Sequence, residues 1–297
     1  MRGVIVLEHP LDERARGDRV FAGALLVFRG LSALRRLCSE SDRLIRRVFE
    51  GLEPVSAQHA LAREEFLARV ARLTRLYRDD GEVRVLLRAA LEEAGVSPER
   101  TYWDTLHLRL VPSGEGWSNR RTRRLPPHRD SWGSNLLCQV NWWTPLYPVS
   151  EGSTIAIYPR YWDRPVANTS AHWDYHAMRR ARAQALAEGR SPDEAYPLLP
   201  LAAEPIPRKE AVPVVVEPGD FLCFSSAHLH GTMPNESQRT RFSVEVRTVS
   251  ALDLAERRGA PNLDGRAPHA AYEWFARIAD GAPLTPPAGP APRSGGA

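Results

Sequence analysis

His128 and Asp130 stand two apart in the stretch Pro126-Pro127-His128-Arg129-Asp130-Ser131-Trp132. In an extended segment, side chains two apart project to the same face. An imidazole and a carboxylate are thus presented side by side, with Arg129 turned away. That pairing supplies two of the three corners of a 2-His-1-carboxylate triad, the donor set that leaves positions open on a non-haem Fe(II). A lone His-x-Asp recurs by chance, so the chemistry requires a second histidine delivered by a distant strand.

A partner follows about a hundred residues later in the run from Glu217 to Gly231. It reads as a Pro-Gly turn, an apolar strand and then two histidines, His228 and His230. These share a strand face, so alternation alone does not choose between them. Further on, Arg241-Phe242-Ser243 opens the alternating strand Phe242 to Val246. Arg241 and Ser243 share one face, where a guanidinium fork and a hydroxyl can together grip a carboxylate.

The order His-x-Asp, distal His-Gly, then Arg-x-Ser resembles the Fe(II)/2-oxoglutarate oxygenases, specifically the phytanoyl-CoA hydroxylase-like branch. The runs Glu151 to Pro159 and Leu229 to Asn235 are similar to the same branch. The resemblance covers residues 103–250 well and the N-terminal third loosely. It implies a double-stranded β-helix (jelly-roll, cupin-like) barrel, mainly β with flanking α-helices. It selects His128, Asp130 and His230 as metal ligands, with His228 a neighbour, and Arg241 and Ser243 as the anchor for 2-oxoglutarate. Arg247 is the weaker rival anchor, lacking the Arg-x-Ser arrangement. The implied cofactors are Fe(II), 2-oxoglutarate as cosubstrate and O2, with succinate and CO2 as coproducts. The presence of Asp130 argues for hydroxylation or a related oxidation, since the halogenases of this branch lack that carboxylate.

Gln139 and Asn141 lie on one face of the strand Leu137 to Trp143. Buried amides need partners. In the resembling family this strand borders 2-oxoglutarate, which makes these residues cosubstrate contacts; a structural hydrogen bond inside the barrel fits them equally. The runs Trp132 to Ser134, Asn141 to Trp143 and Thr240 to Val244 resemble oxygenases of small-molecule biosynthesis, in particular those of mycosporine-like amino acid pathways. The expected reaction is hydroxylation, or oxidative trimming, of a small polar metabolite. A Kdo-type sugar hydroxylase is the alternative enzyme, and a non-catalytic sugar- or acid-binding barrel the alternative of another class.

The elements that must position these residues follow from patterning. Residues 20–29 suggest an early strand. Apolar residues at helical spacing run from Leu34 to Phe49 and from Phe66 to Tyr77, and a third helix is expected over 82–94, closed by Gly95 and Pro98. From Trp103 the texture becomes strands, with His107 and Arg109 on one face of Leu106 to Val111. The loop Pro112 to Leu125 carries Arg120, Arg121, Arg123 and Arg124. A solvated charged loop and a lid that attracts an anionic substrate both fit it. Residues 158–178, dense in aromatics, read as an insertion at the barrel mouth, where they would line a pocket. His172 and His176 are four apart there, with no third ligand nearby, which favours a surface or packing role over zinc. A short helix is expected over 270–279, and a Pro/Ala/Gly-rich disordered tail over 281–297. The whole reads as one oxygenase domain, 1–280, with a helical part over 1–100 and a barrel core over 103–250.

Composition sets the bounds. The 297 residues carry a formal charge of +4, and Lys209 is the only lysine, so the basic character is almost wholly arginine. Acidic residues are interspersed throughout, and nothing in this balance calls for nucleic acid. Cys38, Cys138 and Cys223 have no metal-like spacing and read as free thiols of a reducing compartment. No apolar run approaches a membrane span, and the N-terminal run is too short for a signal peptide. A cytoplasmic protein with a small-molecule substrate is expected, its oligomeric state open.

Overall fold

The computed structural model describes residues 3–286, apart from Ser118 and Arg120. Eleven strands and eight α-helices follow one another among these residues. Strand β1 (Val4–Leu7), helix α1 (Glu13–Val20) and strand β2 (Leu25–Phe28) precede three longer helices. These are α2 (Ser32–Val48), α3 (Arg63–Asp79) and α4 (Gly81–Glu93), within a few residues of the spans that the apolar stripes predict. Each buries one stripe: Leu34, Leu37, Leu44, Ile45 and Val48 on α2, and Phe66, Val70, Leu73 and Tyr77 on α3. Asp80 caps α4 by accepting the amide of Val83 at 3.0 Å. Gly95, at φ +91°, closes it against the Leu11 carbonyl, where a Cβ would stand 2.4 Å from the oxygen.

The strands form two sheets. The larger has eight strands in the order β1-β2-β8-β5-β10-β3-β11, with β4 also paired to β10. Here β3 is Thr101–Trp103, β4 His107–Val111, β5 Val140–Pro145, β8 Phe221–Ser225, β10 Arg241–Ser250 and β11 Ala276–Arg277. All of its pairings are antiparallel except β1 with β2. The smaller sheet runs β7 (Val212–Val214), β6 (Ile155–Ile157), β9 (His230–Thr232).

Alternation on the large sheet divides it between two cores. Leu26, Phe28, Trp142, Phe221, Cys223, Phe242, Val244 and Val246 face the helices. Leu25, Val27, Trp143, Leu222 and Phe224 face the small sheet, packing with Ile155, Ile157 and Val214. The result is a mixed sheet flanked by helices on one side and covered by a second sheet on the other, with no closed barrel. Thus β10 sends Arg241, Ser243, Glu245 and Arg247 into the space between the sheets, opposite Arg109 and His107 of β4.

Three expectations change. The His-x-Asp stretch is not a strand throughout: His128 makes one antiparallel bridge to His230, and Asp130 (φ −64°, ψ −31°) begins the short helix α5 (Ser131–Ser134). Its carbonyl already accepts the amides of Gly133 and Ser134, so a turn, and not alternation, brings the two side chains together. Second, residues 270–279 form a single 3-10 turn (Tyr272–Trp274) followed by β11, whose pairing with β3 outcompetes a helix. Third, the start of the expected tail is ordered. The Leu284 amide donates to the Phe275 carbonyl and its side chain is buried. Residues 287–297 lie outside the described range.

The aromatic insertion leads into α6 (Tyr175–Ala187) and the single turn α7 (Pro192–Ala195), and α8 (Ala251–Ala255) follows β10. All three cysteines are free. No helix among the described residues is long and apolar enough to cross a membrane.

Candidate metal and 2-oxoglutarate site

His128 and His230 are locked together by reciprocal backbone bonds, each amide donating to the other's carbonyl at 2.9 Å. The close approach depends on Gly231. A Cβ there would lie 3.2–3.3 Å from backbone atoms of Leu125, Pro126 and Pro127, so the glycine after the histidine lets the 125–128 segment lie against β9. The two imidazoles sit 4.4 Å apart, centre to centre.

Their tautomers follow from their backbone partners. His128 Nδ1 lies 2.8 Å from the Pro126 carbonyl, and His230 Nδ1 lies 3.0 Å from the His228 carbonyl. A carbonyl only accepts, so each Nδ1 carries a proton and Nε2 is the nitrogen left to face a metal. Burial, with His128 adding to it, pushes the His230 pKa down to about 4, leaving a neutral ring able to ligate. Donor atoms of His128, Asp130 and His230 all lie within 4.8 Å of one another. Two imidazoles and one carboxylate, oriented by bonds to their outer atoms, fit a divalent iron.

Asp130 is held from two sides. Asn141 Nδ2 donates to its Oδ2 at 2.7 Å, and Arg247 Nη1 stands 3.9 Å from its Oδ1. Burial alone would raise this carboxyl's pKa. Its polar surroundings, the Arg247 guanidinium among them, more than offset it and hold the group well below the usual carboxylate range. Arg247 is itself fixed: its Nε donates to Asp104 at 2.6 Å and its Nη2 to His107 Nε2 at 3.0 Å. A guanidinium so committed orients Asp130 and is poorly placed to anchor a second carboxylate.

Gln139 does not border the cavity. It is fully buried and donates to Asn141 Oδ1 at 3.0 Å, which sets the Asn141 amide so that its NH2 faces Asp130. Asn141 itself lines the cavity beside Asp130, with Gln139 behind it. His228 is excluded from the cluster: its nitrogens face the carbonyls of Ser225 (3.2 Å) and Gly23 (3.4 Å), and its ring stacks on Trp162 at 4.3 Å. Burial depresses its pKa to about 3.

Arg241 and Ser243 lie on the inner face of β10, next to Trp143 of β5. Arg241 Nη1 donates to the Ser153 carbonyl at 3.3 Å, but Arg241 Nε, Ser243 Oγ and Trp143 Nε1 are buried without a partner. Burial and the neighbouring Arg109 lower the Arg241 pKa to about 9. Unsatisfied buried donors cost about 1–3 kcal/mol each, more when charged. A cluster of such donors beside a buried guanidinium has the chemistry to receive a carboxylate.

Beside His128, Asp130 and His230 opens a cavity of about 790 Å³. Its walls include residues that motif reading passed over: Asp104, Glu245, and Arg75 and Arg78 on the polar side of α3. Local pattern gives no signal for these, because charged residues on an amphipathic helix look like a solvated face. The aromatic insertion does reach the cavity, through Trp173, Tyr175 and Met178. Of the four arginines in the 112–125 loop, Arg121 and Arg123 line it, Arg124 instead faces Glu115 at 3.6 Å, and Arg120 lies outside the described residues. His176 pairs with Glu273 at 3.2 Å, and among the described residues neither it nor His172 belongs to a metal-capable group.

A family model described as phytanoyl-CoA dioxygenase (PhyH) matches residues 22–243. The chain belongs to this family. It is a non-haem oxygenase that uses Fe(II), 2-oxoglutarate and O2. No curated protein matches the sequence. Among solved structures, similarity extends to EvdO2 from Micromonospora carbonacea var. aurantiaca complexed with 2-oxoglutarate, at 14% identity over 82% of this chain and 93% of that one, TM-score 0.46. It extends also to the epimerase SnoN in complex with Fe3+, alpha ketoglutarate and nogalamycin RO (14% identity, 86% and 98% covered, TM-score 0.41). The carbocyclase SnoK from nogalamycin biosynthesis is similar at 14% identity, with 89% and 95% covered and a TM-score of 0.39. Likenesses this distant say nothing of the present chain's substrate.

Proposed function

We propose that this oxygenase hydroxylates, or oxidatively trims, a small polar metabolite, with iron held by His128, Asp130 and His230. The far carboxylate of 2-oxoglutarate is held by Arg241 and Ser243. The observation that carries the reading is a converging two-histidine, one-carboxylate cluster together with a buried guanidinium Nε and a buried hydroxyl, both without partners, on the inner face of β10. Two opposed sheets with the site between them support a double-stranded β-helix core, and we read residues 1–280 as one domain.

Bound together, iron, 2-oxoglutarate and O2 would supply the oxidising power, 2-oxoglutarate leaving as succinate and CO2. The protein's own part is to position and to shield. His128 and His230 keep their Nδ1 protons on backbone carbonyls, so that Nε2 stays available. Asn141 and Arg247 hold the Asp130 carboxylate, and Gln139 holds Asn141. Phe224, Trp143 and Ile155 wall the inner end and keep water from it. The carboxylate of Asp130 leaves no place for a halide among the ligands, which supports oxygen insertion as the outcome.

The Kdo-type hydroxylase reading draws no support from the matches. The non-catalytic barrel is opposed by a donor set and anchor that are both complete. The test is to load the purified chain with Fe(II) under argon, add 2-oxoglutarate, and follow O2 uptake and succinate release across a panel of small metabolites. Succinate formation that a panel member accelerates, and that His128→Ala and Asp130→Ala abolish, is the expected outcome. An iron-loaded protein that never forms succinate would sink the proposal.

A further inference from the structure

The cavity beside His128, Asp130 and His230 combines basic and aromatic groups. Helix α3 contributes Arg75 and Arg78, three apart and so on one helical face, and β4 adds Arg109. The lining also holds Trp173, Tyr175 and Trp274, with Tyr175 and Trp274 edge to face at 5.1 Å and Arg179 and Arg247 over those two rings at 5.8 and 5.9 Å. Eight arginines but four carboxylates line the whole cavity.

Those four carboxylates are committed. Asp104 pairs with Arg247 at 2.6 Å, and Asp130 is a member of the metal cluster. Glu245 lies 3.5 Å from Arg109, and Glu273 lies 3.2 Å from His176. A divalent cation and a dianionic cosubstrate cancel in charge, so filling the site as proposed above would bring no net charge to Arg75 and Arg78. Among the described residues no carboxylate lies within salt-bridge distance of Arg75, and Arg78 meets only its chain neighbour Asp79 at 3.2 Å, on the exposed surface.

Resting on the oxygenase reading, we propose that the substrate is an organic acid, a carboxylate or phosphate carried on a flat apolar body, with its acid group received by Arg75, Arg78 and Arg109 and its body laid against Trp173, Tyr175 and Trp274. Guanidinium forks match either anion, and aromatic faces offer large contact area at low entropic cost. The cavity is large enough for a body of several rings beside the cosubstrate.

The test is calorimetric titration of the protein loaded with Mn(II) and saturating 2-oxoglutarate, without O2. Three probes share one ring system: 2-naphthylacetate, 2-naphthyl phosphate and the neutral 2-naphthylacetamide. The proposal expects one or both acids to bind at least tenfold more tightly than the amide at low salt. That preference should shrink in 0.5 M NaCl and largely vanish in the Arg75→Gln/Arg78→Gln double variant. Whichever acid binds more tightly identifies the head group. Equal binding of amide and acids overturns the proposal, as does a preference that survives in the double variant. Acetate or inorganic phosphate binding as well as the naphthyl acids would remove the apolar half and overturn it too. Mn(II) and 2-oxoglutarate binding, titrated separately, report on the oxygenase reading. If those fail while the acid preference holds, it is the metal assignment that falls.

Discussion

The side-chain amide of Asn141 donates to Asp130 Oδ2 at 2.7 Å, and its own carbonyl accepts from Gln139 at 3.0 Å. A carboxylate that is to ligate through one oxygen is thus held by the other. Asn141→Leu removes the donor while roughly preserving volume. Loss of such an outer partner typically weakens metal binding about 10–100-fold. Anaerobic Co(II) titration should show that loss, whereas Gln139→Leu, one bond further out, should show a smaller one. Equal Co(II) affinity in Asn141→Leu and wild type would mean that Asp130 needs no such support.

The two neighbouring histidines should separate cleanly. His230→Asn is expected to abolish stoichiometric Co(II) binding. His228→Asn should leave it intact while lowering the unfolding midpoint, because a buried ring stacked on Trp162 is lost. Retention of metal by the first variant and its loss in the second would reverse the ligand assignment.

Arg241→Met should raise the 2-oxoglutarate concentration needed for half-maximal succinate formation by about a hundredfold, the equivalent of a few kcal/mol for a charge-assisted contact. Iron affinity should stay near the wild-type value. The same variant should not lose thermal stability in the absence of 2-oxoglutarate, since its guanidinium is buried with Nε unpaired. An unchanged 2-oxoglutarate requirement would move the anchor elsewhere, with Arg109 the next guanidinium on the same face.

Acid stability carries a signature at Asp253. Burial raises its pKa to about 6, against the partial relief that Arg258 and Arg16 provide. The unfolded value is about 3.9. Between these values the folded chain binds more protons at this position than the unfolded chain, so the contribution of Asp253 to stability falls as pH rises from about 4 to about 6. Urea unfolding of wild type and Asp253→Asn across that window should show the difference between them changing in this direction. A difference that is flat with pH would mean that the group titrates normally in the fold.

The stripes on α2, α3 and α4 announced themselves because burial on one side of a helix repeats along the chain every three to four residues. The β10 face carrying Arg241 and Ser243 did so through a period of two. Asp130 was legible as a residue but not as a conformation. Its partner bonds come from Gly133 and Ser134 folding back, and alternation describes only extended backbone. Gln139 and Asn141 were visible as inward amides, yet which neighbour they serve depends on a segment that pairing alone brings near. Arg75 and Arg78 were hidden for a different reason. On the outer face of an amphipathic helix, an arginine at a cavity mouth and one in open solvent have the same sequence signature.

Arg129, between the two ligand positions, reaches the Ala227 carbonyl, the Tyr161 carbonyl at 2.5 Å and Asp264 at 3.1 Å, and Asp264 also receives the indole NH of Trp132 at 2.6 Å. The brace on the segment of His128 and Asp130 therefore comes from a residue more than a hundred positions later, after β10. During synthesis the ribosome delivers His128 and Asp130 long before His230, and His230 before Asp264. The contacts that fix Arg129 and Trp132 on either side of Asp130 therefore form only once the segment after β10 has folded back onto the middle of the chain.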